Sequence, residues 1–338
     1  MKTNKGLTTI IFFLTLFLSG KVMAENYPTA KISNGIIKLK VYIPNIKTGF
    51  YRGPRFDWSG LIGIINYNGN KFYGKWWQEK RNPYANDQVM GPAGEFGMGF
   101  LGVPAPLGYK TAKPGETFLK IGVGELKKVN NSNYNFGCNY EIIKPIPWII
   151  KKGNNWISFT QQVKNFKGYG YKYTHEISLV KGKPEFIDKY IFANIGEKEI
   201  NQTYYCHNFT MINQTPVGPD YELIFPFKPK LINPPSDPSK GLVVKQNQLI
   251  LKNTNGFWGI IGGFDTNKIK DDGVIVINKK TGTGIKIIGT HPIVSIHVWG
   301  TSKVICPELT INIKLLPGKK IEWEWVYRLI NKRNIAGK

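Results

Sequence analysis

The chain has 338 residues, with 46 Lys and Arg against 22 Asp and Glu, for a formal charge of +24. Such an excess favours anionic surroundings, yet Lys is spread along the whole chain among Asn and Ile. No run of five or six basic residues and no nucleic-acid-binding motif occurs, which argues against DNA or RNA as a partner. Only three cysteines are present, Cys138, Cys206 and Cys306, so at most one disulfide can form and disulfides do not staple the fold. They read as buried thiols acting as small hydrophobes, with a Cys206–Cys306 bridge as the alternative.

At the N-terminus, Lys2 and Lys5 precede an apolar run from Leu7 to Leu18, followed by Val22-Met23-Ala24. This is the pattern of a cleavable secretory leader. It divides the chain into a signal peptide over 1–24 and one domain over 25–338, and predicts a secreted or periplasmic protein. Loss of Lys2, Lys5 and Lys21 leaves about +21. An uncleaved N-terminal anchor is the alternative. No later segment approaches the roughly 20 apolar residues of a spanning helix, so no transmembrane segment is expected.

Beyond the leader, short runs rich in Ile, Val, Tyr, Phe and Trp recur between Gly, Asn and Pro punctuation, the pattern of an all-β chain. Strands are predicted over 36–43, 61–67, 118–123, 156–163, 171–179, 186–192, 200–205, 256–264, 284–288, 293–299, 310–315 and 321–327. Residues 269–277 start charged and become β-branched. Turns are expected at Lys181-Gly182-Lys183-Pro184, at 253–256 and at Pro317-Gly318. No stretch of twelve residues carries a helical apolar stripe. A dozen strands require a large two-sheet antiparallel β-sandwich. In the last strand, Trp323, Trp325 and Tyr327 share one side and Glu322 and Glu324 the other, so the two tryptophans are expected in the core.

Chemistry-bearing residues fall in three places. The segment ANIGEKEINQTYYCHNF delivers His207, and Glu308 follows Pro307 at the entry to another strand; together they form an acid/base pair able to protonate one sugar oxygen while deprotonating another. Burial of Glu308 would raise its pKa toward that of a general base. The second place is YRGPRFDWSG. Arg52 and Arg55 are able to grip an anionic group, Asp57 to pair with one of them, and Trp58 to stack on a sugar face; an Arg–Asp network with Trp58 in the core is the alternative. The third is the Gly-rich stretch GPAGEFGMGFLG, read as a loop, in which Glu95 is an acceptor for sugar hydroxyls. His175 and His297 are further substrate-binding candidates. There is no His-x-x-x-His, no Cys-x-x-Cys, no P-loop and no serine nucleophile elbow, so neither metal nor cofactor is called for.

The elements Asn194, Gly196, Thr203, His207, Asn208 and Phe209, followed later by Pro307, Glu308 and a Leu316-Pro317-Gly318 turn, resemble in order and spacing the galactose-mutarotase-like superfamily, which includes aldose 1-epimerases. The resemblance implies its large β-sandwich, with His207 protonating the ring oxygen and Glu308 removing the anomeric hydroxyl proton, no cofactor, and a sugar or oligosaccharide, neutral or acidic, as partner. It covers chiefly the C-terminal half. The His-Gly pair that active epimerases of the family often carry earlier in the chain is absent, because the histidines are His175, His207, His291 and His297. The stretch GFYRGPRFDWSG instead resembles a secreted subgroup without an assigned activity, so no substrate is inherited. Two other classes stay open: a polysaccharide lyase or glycoside hydrolase on an acidic glycan, and a non-catalytic carbohydrate-binding protein.

Overall fold

A computed structural model describes residues 26–100, 102–233, 241–253, 255–268 and 273–331; the leader lies outside them, as do residues 269–272 at the start of the stretch 269–277. Among the described residues there is no α-helix, and no helix long and apolar enough to cross a membrane. Two antiparallel sheets dominate. One has ten strands, in the order Leu242–Lys245, Gln248–Leu251, Tyr221–Ile224, Gly273–Asn278, Thr283–Gly289, Lys320–Ile330, Glu185–Asn194, Tyr169–Leu179, Trp156–Phe166 and Ile149–Lys152. The other has six: Lys230–Leu231, Phe257–Gly262, Ser295–Gly300, Ile305–Leu315, Ile200–Phe209 and Gly91–Phe96.

The ten-stranded sheet behaves as alternation requires. In Lys320–Ile330 the side of Trp323, Trp325 and Tyr327 is at most 1 % exposed, while Glu322 and Glu324 on the other side reach Lys189 at 3.7 and 3.6 Å. Facing it, Tyr204, Cys206, Leu309, Ile311 and Ile313 of the six-stranded sheet complete one core. At about 25 cal/mol per Å2 of apolar surface, this interleaved aromatic and aliphatic layer is the main stabilising term of the fold.

The six-stranded sheet departs from simple alternation. Ile200–Phe209 is buried at every position but Asn201, and Ile305–Leu315 at every position but Asn312 and Lys314. Its outer face is covered by a second apolar layer, which includes Tyr42, Phe50, Phe56, Trp58, Val89, Tyr109 and Phe118 from the N-terminal segments, packed on Ala93, Phe209 and Cys306. The three cysteines are free. Cys206 belongs to the inter-sheet core and Cys306 to the outer layer, so the alternative of a bridge between them is corrected: the two thiols face opposite sides of their sheet.

One element is a correction. Gly91–Phe96, read as a loop from its glycines, is a strand buried at all six positions and paired with Ile200–Phe209, with Glu95 opposite Tyr205. Glycine is required there by close packing, for a Cβ on Gly94 would stand 2.6 Å from the Tyr204 hydroxyl. The smaller strands Thr29–Ser33, Gly124–Lys127, Ile142–Pro145 and Ile149–Lys152 were not predicted either. Several are too short or too rich in Lys to show periodicity.

Candidate active site

On the outer face of the six-stranded sheet, antiparallel register sets side chains from four strands into a row. His207 lies directly opposite Glu308, Glu308 opposite His297, and His297 opposite Ile260. Directly opposed residues share a face, so the two histidines flank the glutamate. Two positions along the strands runs a parallel aromatic row, in which Trp299 is opposite Trp258 and Phe209 stacks on the His207 ring at 4.0 Å and 13°. Polar and aromatic rows together floor a cavity of about 300 Å3. Arg55, Asp87, Met98, Phe100 and Phe136 close its other side.

His207 Nε2 stands 3.2 Å from Glu308 Oε1, and both residues are buried. Phe56 and Trp299 meet the imidazole edge-on at 5.7 and 5.6 Å. In these apolar surroundings burial pushes the Glu308 carboxyl up to about 8, with Arg55 opposing the shift and Glu95 and Asp87 adding to it. Burial, and then the Arg55 charge, hold His207 well below the usual imidazole range. Near neutral pH these shifts favour a protonated Glu308 carboxyl beside a neutral imidazole. His207 Nδ1 is buried with no hydrogen-bond partner among the described residues. His297 is also held down by burial.

Arg55 is the second structured element. Nε donates to Glu95 Oε2 at 3.0 Å, Nη2 to the Tyr205 hydroxyl at 3.1 Å, and Nη1 to Asp87 Oδ1. The guanidinium lies over Phe56 and Phe136, 4.5 and 4.4 Å from their ring centres. Burial works against the charge, but Tyr205, Glu95 and Asp87 together outweigh it and keep Arg55 firmly protonated. Behind it, Lys120 Nζ donates to Glu95 Oε1 at 2.9 Å and to the Phe96 carbonyl at 2.7 Å. Two cations and two carboxylates thus balance.

Several sequence expectations are corrected. Glu95 is fully buried and lines no cleft; burial raises its pKa, but Lys120, Arg55 and the Tyr205 hydroxyl together lower it below the ordinary value, so it is an ion-pair anchor rather than an acceptor for sugar hydroxyls. Arg52 points elsewhere, donating to the Lys47 carbonyl and lying 4.6 Å over the Tyr84 ring. Trp58 is 3 % exposed and donates from Nε1 to the Gly53 carbonyl at 2.9 Å, which removes it as a sugar platform. Asp57 pairs with neither arginine. It accepts from the Ser59 amide, the Ser59 hydroxyl and the Tyr173 hydroxyl at 2.8, 2.9 and 2.6 Å, and burial still pushes it up to about 6. His175 is buried in the same network, with Nδ1 3.1 Å from Ser59 Oγ and Nε2 3.9 Å from Asp188 Oδ1. No Cβ fits at Gly60, where it would lie 1.9 Å from the His175 ring. The FDWSG stretch is therefore a clasp between the N-terminal segment and the ten-stranded sheet, and it delivers Arg55 to the cleft.

Of the residues singled out from sequence, Arg55, His207, His297 and Glu308 converge on one cavity. Phe209 and Trp299 were overlooked, although each stands two residues after a chosen histidine and so on the same face. Trp258, Asp87 and Phe136 left no sequence signal, because only non-local pairing and loop placement bring them in, whereas Phe100 lies in the Gly-rich stretch already singled out. Among the described residues no group of three or more His, Cys, Asp and Glu is placed to hold a metal ion.

No family model and no curated protein matches the chain. Solved structures do. The GalM/aldose epimerase homologue from C. elegans aligns over 90 % of this chain and 99 % of its own, with a TM-score of 0.56 at 11 % identity. A galactose mutarotase-like protein from Clostridium acetobutylicum aligns over 91 % and 96 %, with a TM-score of 0.55 at 10 % identity, and one from Lactobacillus casei over 89 % and 99 %, with 0.52 at 13 %. With two antiparallel sheets matched over nearly the full length of each neighbour, the chain has the galactose-mutarotase-like β-sandwich fold.

Proposed function

We propose that the protein catalyses anomer exchange of a reducing sugar, as an aldose 1-epimerase does, with Glu308 as base and His207 as acid and with no cofactor. The observation that carries this reading is the buried 3.2 Å contact between His207 and Glu308 in the floor of an open cavity. In ring opening, Glu308 passes its proton to His207 Nε2, and the imidazolium gives it on from Nε2 to the ring oxygen as the C1–O5 bond breaks. The Glu308 carboxylate takes the proton of the anomeric hydroxyl as the C1 carbonyl forms. The freed C1 turns and the steps reverse on its other face, restoring both groups. Arg55, matched by Asp87 and Glu95, gives the cleft no excess positive charge, which favours a neutral sugar over a uronate.

The test is to mix the purified protein with freshly dissolved single anomers, neutral and uronic, and follow the anomer ratio by NMR. Equilibration should be faster than in buffer, with kcat/KM bell-shaped in pH. The alkaline limb falls near pH 8, as Glu308 loses the shared proton, and the acid limb lies below pH 6.5, where His207 gains a second one. New unsaturated or reducing ends from a polysaccharide would instead identify a lyase or hydrolase, and saturable binding with neither would identify a binding protein.

We further propose that the protein is exported and cleaved after Ala24. Mass spectrometry of the protein from its natural source should give a mature N-terminus near Glu25; an intact Met1 would refute cleavage.

A further inference from the structure

The aromatic row extends farther than one sugar ring needs. With His207 and Glu308 on adjacent strands, the reacting pyranose sits over them, against Phe209 and Trp299. Trp258 lies two strands beyond Glu308, on Phe257–Gly262, at roughly 9–10 Å from the inter-strand spacing. That distance exceeds the reach of a single ring. Yet Trp258 shares the face and the cavity of the catalytic row. It is 42 % exposed, the only tryptophan among the large hydrophobic side chains left open to this degree among the described residues. Its neighbour along the floor is His297, 6.1 Å between ring centres at 63°. Keeping an indole in water costs hydrophobic free energy that packing would recover, and an aromatic face with a polar group at its edge suits a sugar ring, whose C–H face and hydroxyls divide in the same way.

We propose that Trp258 and His297 form a second subsite, which holds the sugar residue next to the reducing end, so that the substrate is a neutral reducing disaccharide or longer oligosaccharide rather than a monosaccharide. This rests on the anomer-exchange reading for the position of the reducing ring. Trp258 would stack on the second ring, and His297 would hydrogen-bond a hydroxyl near the glycosidic linkage. The cavity of about 300 Å3 is lined by His207 and Glu308 and also by His297 and Trp258, so the two subsites are continuous.

The experiment separates binding from turnover. Affinities of glucose, galactose, maltose, cellobiose and lactose are measured by calorimetry on the full mature chain, and anomer exchange of each by NMR, for the wild type and for Trp258→Ala, Trp258→Phe and His297→Ala. At least one disaccharide should bind about tenfold more tightly than either monosaccharide. Trp258→Ala should erase most of that ratio and Trp258→Phe should restore part of it. Equal affinity for one- and two-ring sugars, or a ratio unmoved by Trp258→Ala, would overturn the subsite. If the calorimetric ratio behaves as described while no sugar shows accelerated exchange, the subsite stands and the epimerase reading falls. Because Trp258 is half in solvent, a folded Ala variant is expected, and its thermal transition is checked alongside.

Discussion

His207→Ala and Glu308→Gln should each lower the rate of anomer exchange by about a hundred- to ten-thousand-fold, the usual contribution of a positioned proton-transfer group. The two residues act on one proton, so the double variant should be little slower than either single one. NMR of freshly dissolved sugar measures all three. An activity that survives both substitutions would mean that other groups carry it. The glutamine variant has a second expected signature. Because burial raises the Glu308 pKa in the folded state to about 8, from 4.5 in the unfolded chain, the folded protein holds that proton where the unfolded chain has already lost it. The stability this contributes is fully present below pH 4.5 and is lost as pH rises through 8. Glu308→Gln carries no buried charge, so its thermal midpoint should fall less than that of the wild type between pH 6 and 9. Loss of activity with a gain in alkaline stability is the pattern of a strained catalytic carboxylate rather than of a structural one. Parallel pH profiles for the two proteins would contradict the raised pKa.

Glu95→Ala should destabilise the fold by about 3–5 kcal/mol, the cost of breaking a buried ion pair by removing one partner. Lys120 would be left fully buried with the Phe96 carbonyl and the face of the Tyr134 ring in place of a counter-charge, and Arg55 with Asp87 and Tyr205. Glu95 also belongs to Gly91–Phe96, the edge strand beside His207, so the loss falls on the wall of the site. Urea unfolding followed by tryptophan fluorescence gives the number. The combination Glu95→Leu with Lys120→Met should recover much of it, since isosteric apolar replacement of a buried pair is often neutral. A cost below about 1 kcal/mol for Glu95→Ala, the range of exposed pairs, would show that solvent reaches these charges.

Much of this molecule was legible in its sequence because the underlying signals are local. The period-two runs around Trp156, Tyr171, Phe186 and Trp323 each carry their own inward face, and the structure keeps it. His207 and Glu308 were found through the short motifs that contain them. The GPAGEF strand was not found, because burial on both sides erases alternation and its Gly94 answers to Tyr204, a residue more than a hundred positions away. The RGPRFDWSG stretch was half understood. Its charges and indole were noticed, but whether Asp57 meets an arginine or the Tyr173 hydroxyl depends on which sheet lies over it.

What the sequence determined by itself is the all-β class, the inward faces of the long strands and the two residues on which the proposed chemistry rests. Tertiary structure alone decided that a second apolar layer covers the outer face of the six-stranded sheet, that Arg55 reaches the cleft while Arg52, Asp57, Trp58 and His175 do not, that His297 continues the row begun by His207, and that Trp258 joins the aromatic row beside it. The physical reason is range. Alternation along a strand fixes the direction of a side chain relative to its neighbours, whereas strand order, register and the covering of a face are set by pairings between distant segments, and the burial that shifts the Glu308 proton exists only once those pairings are made.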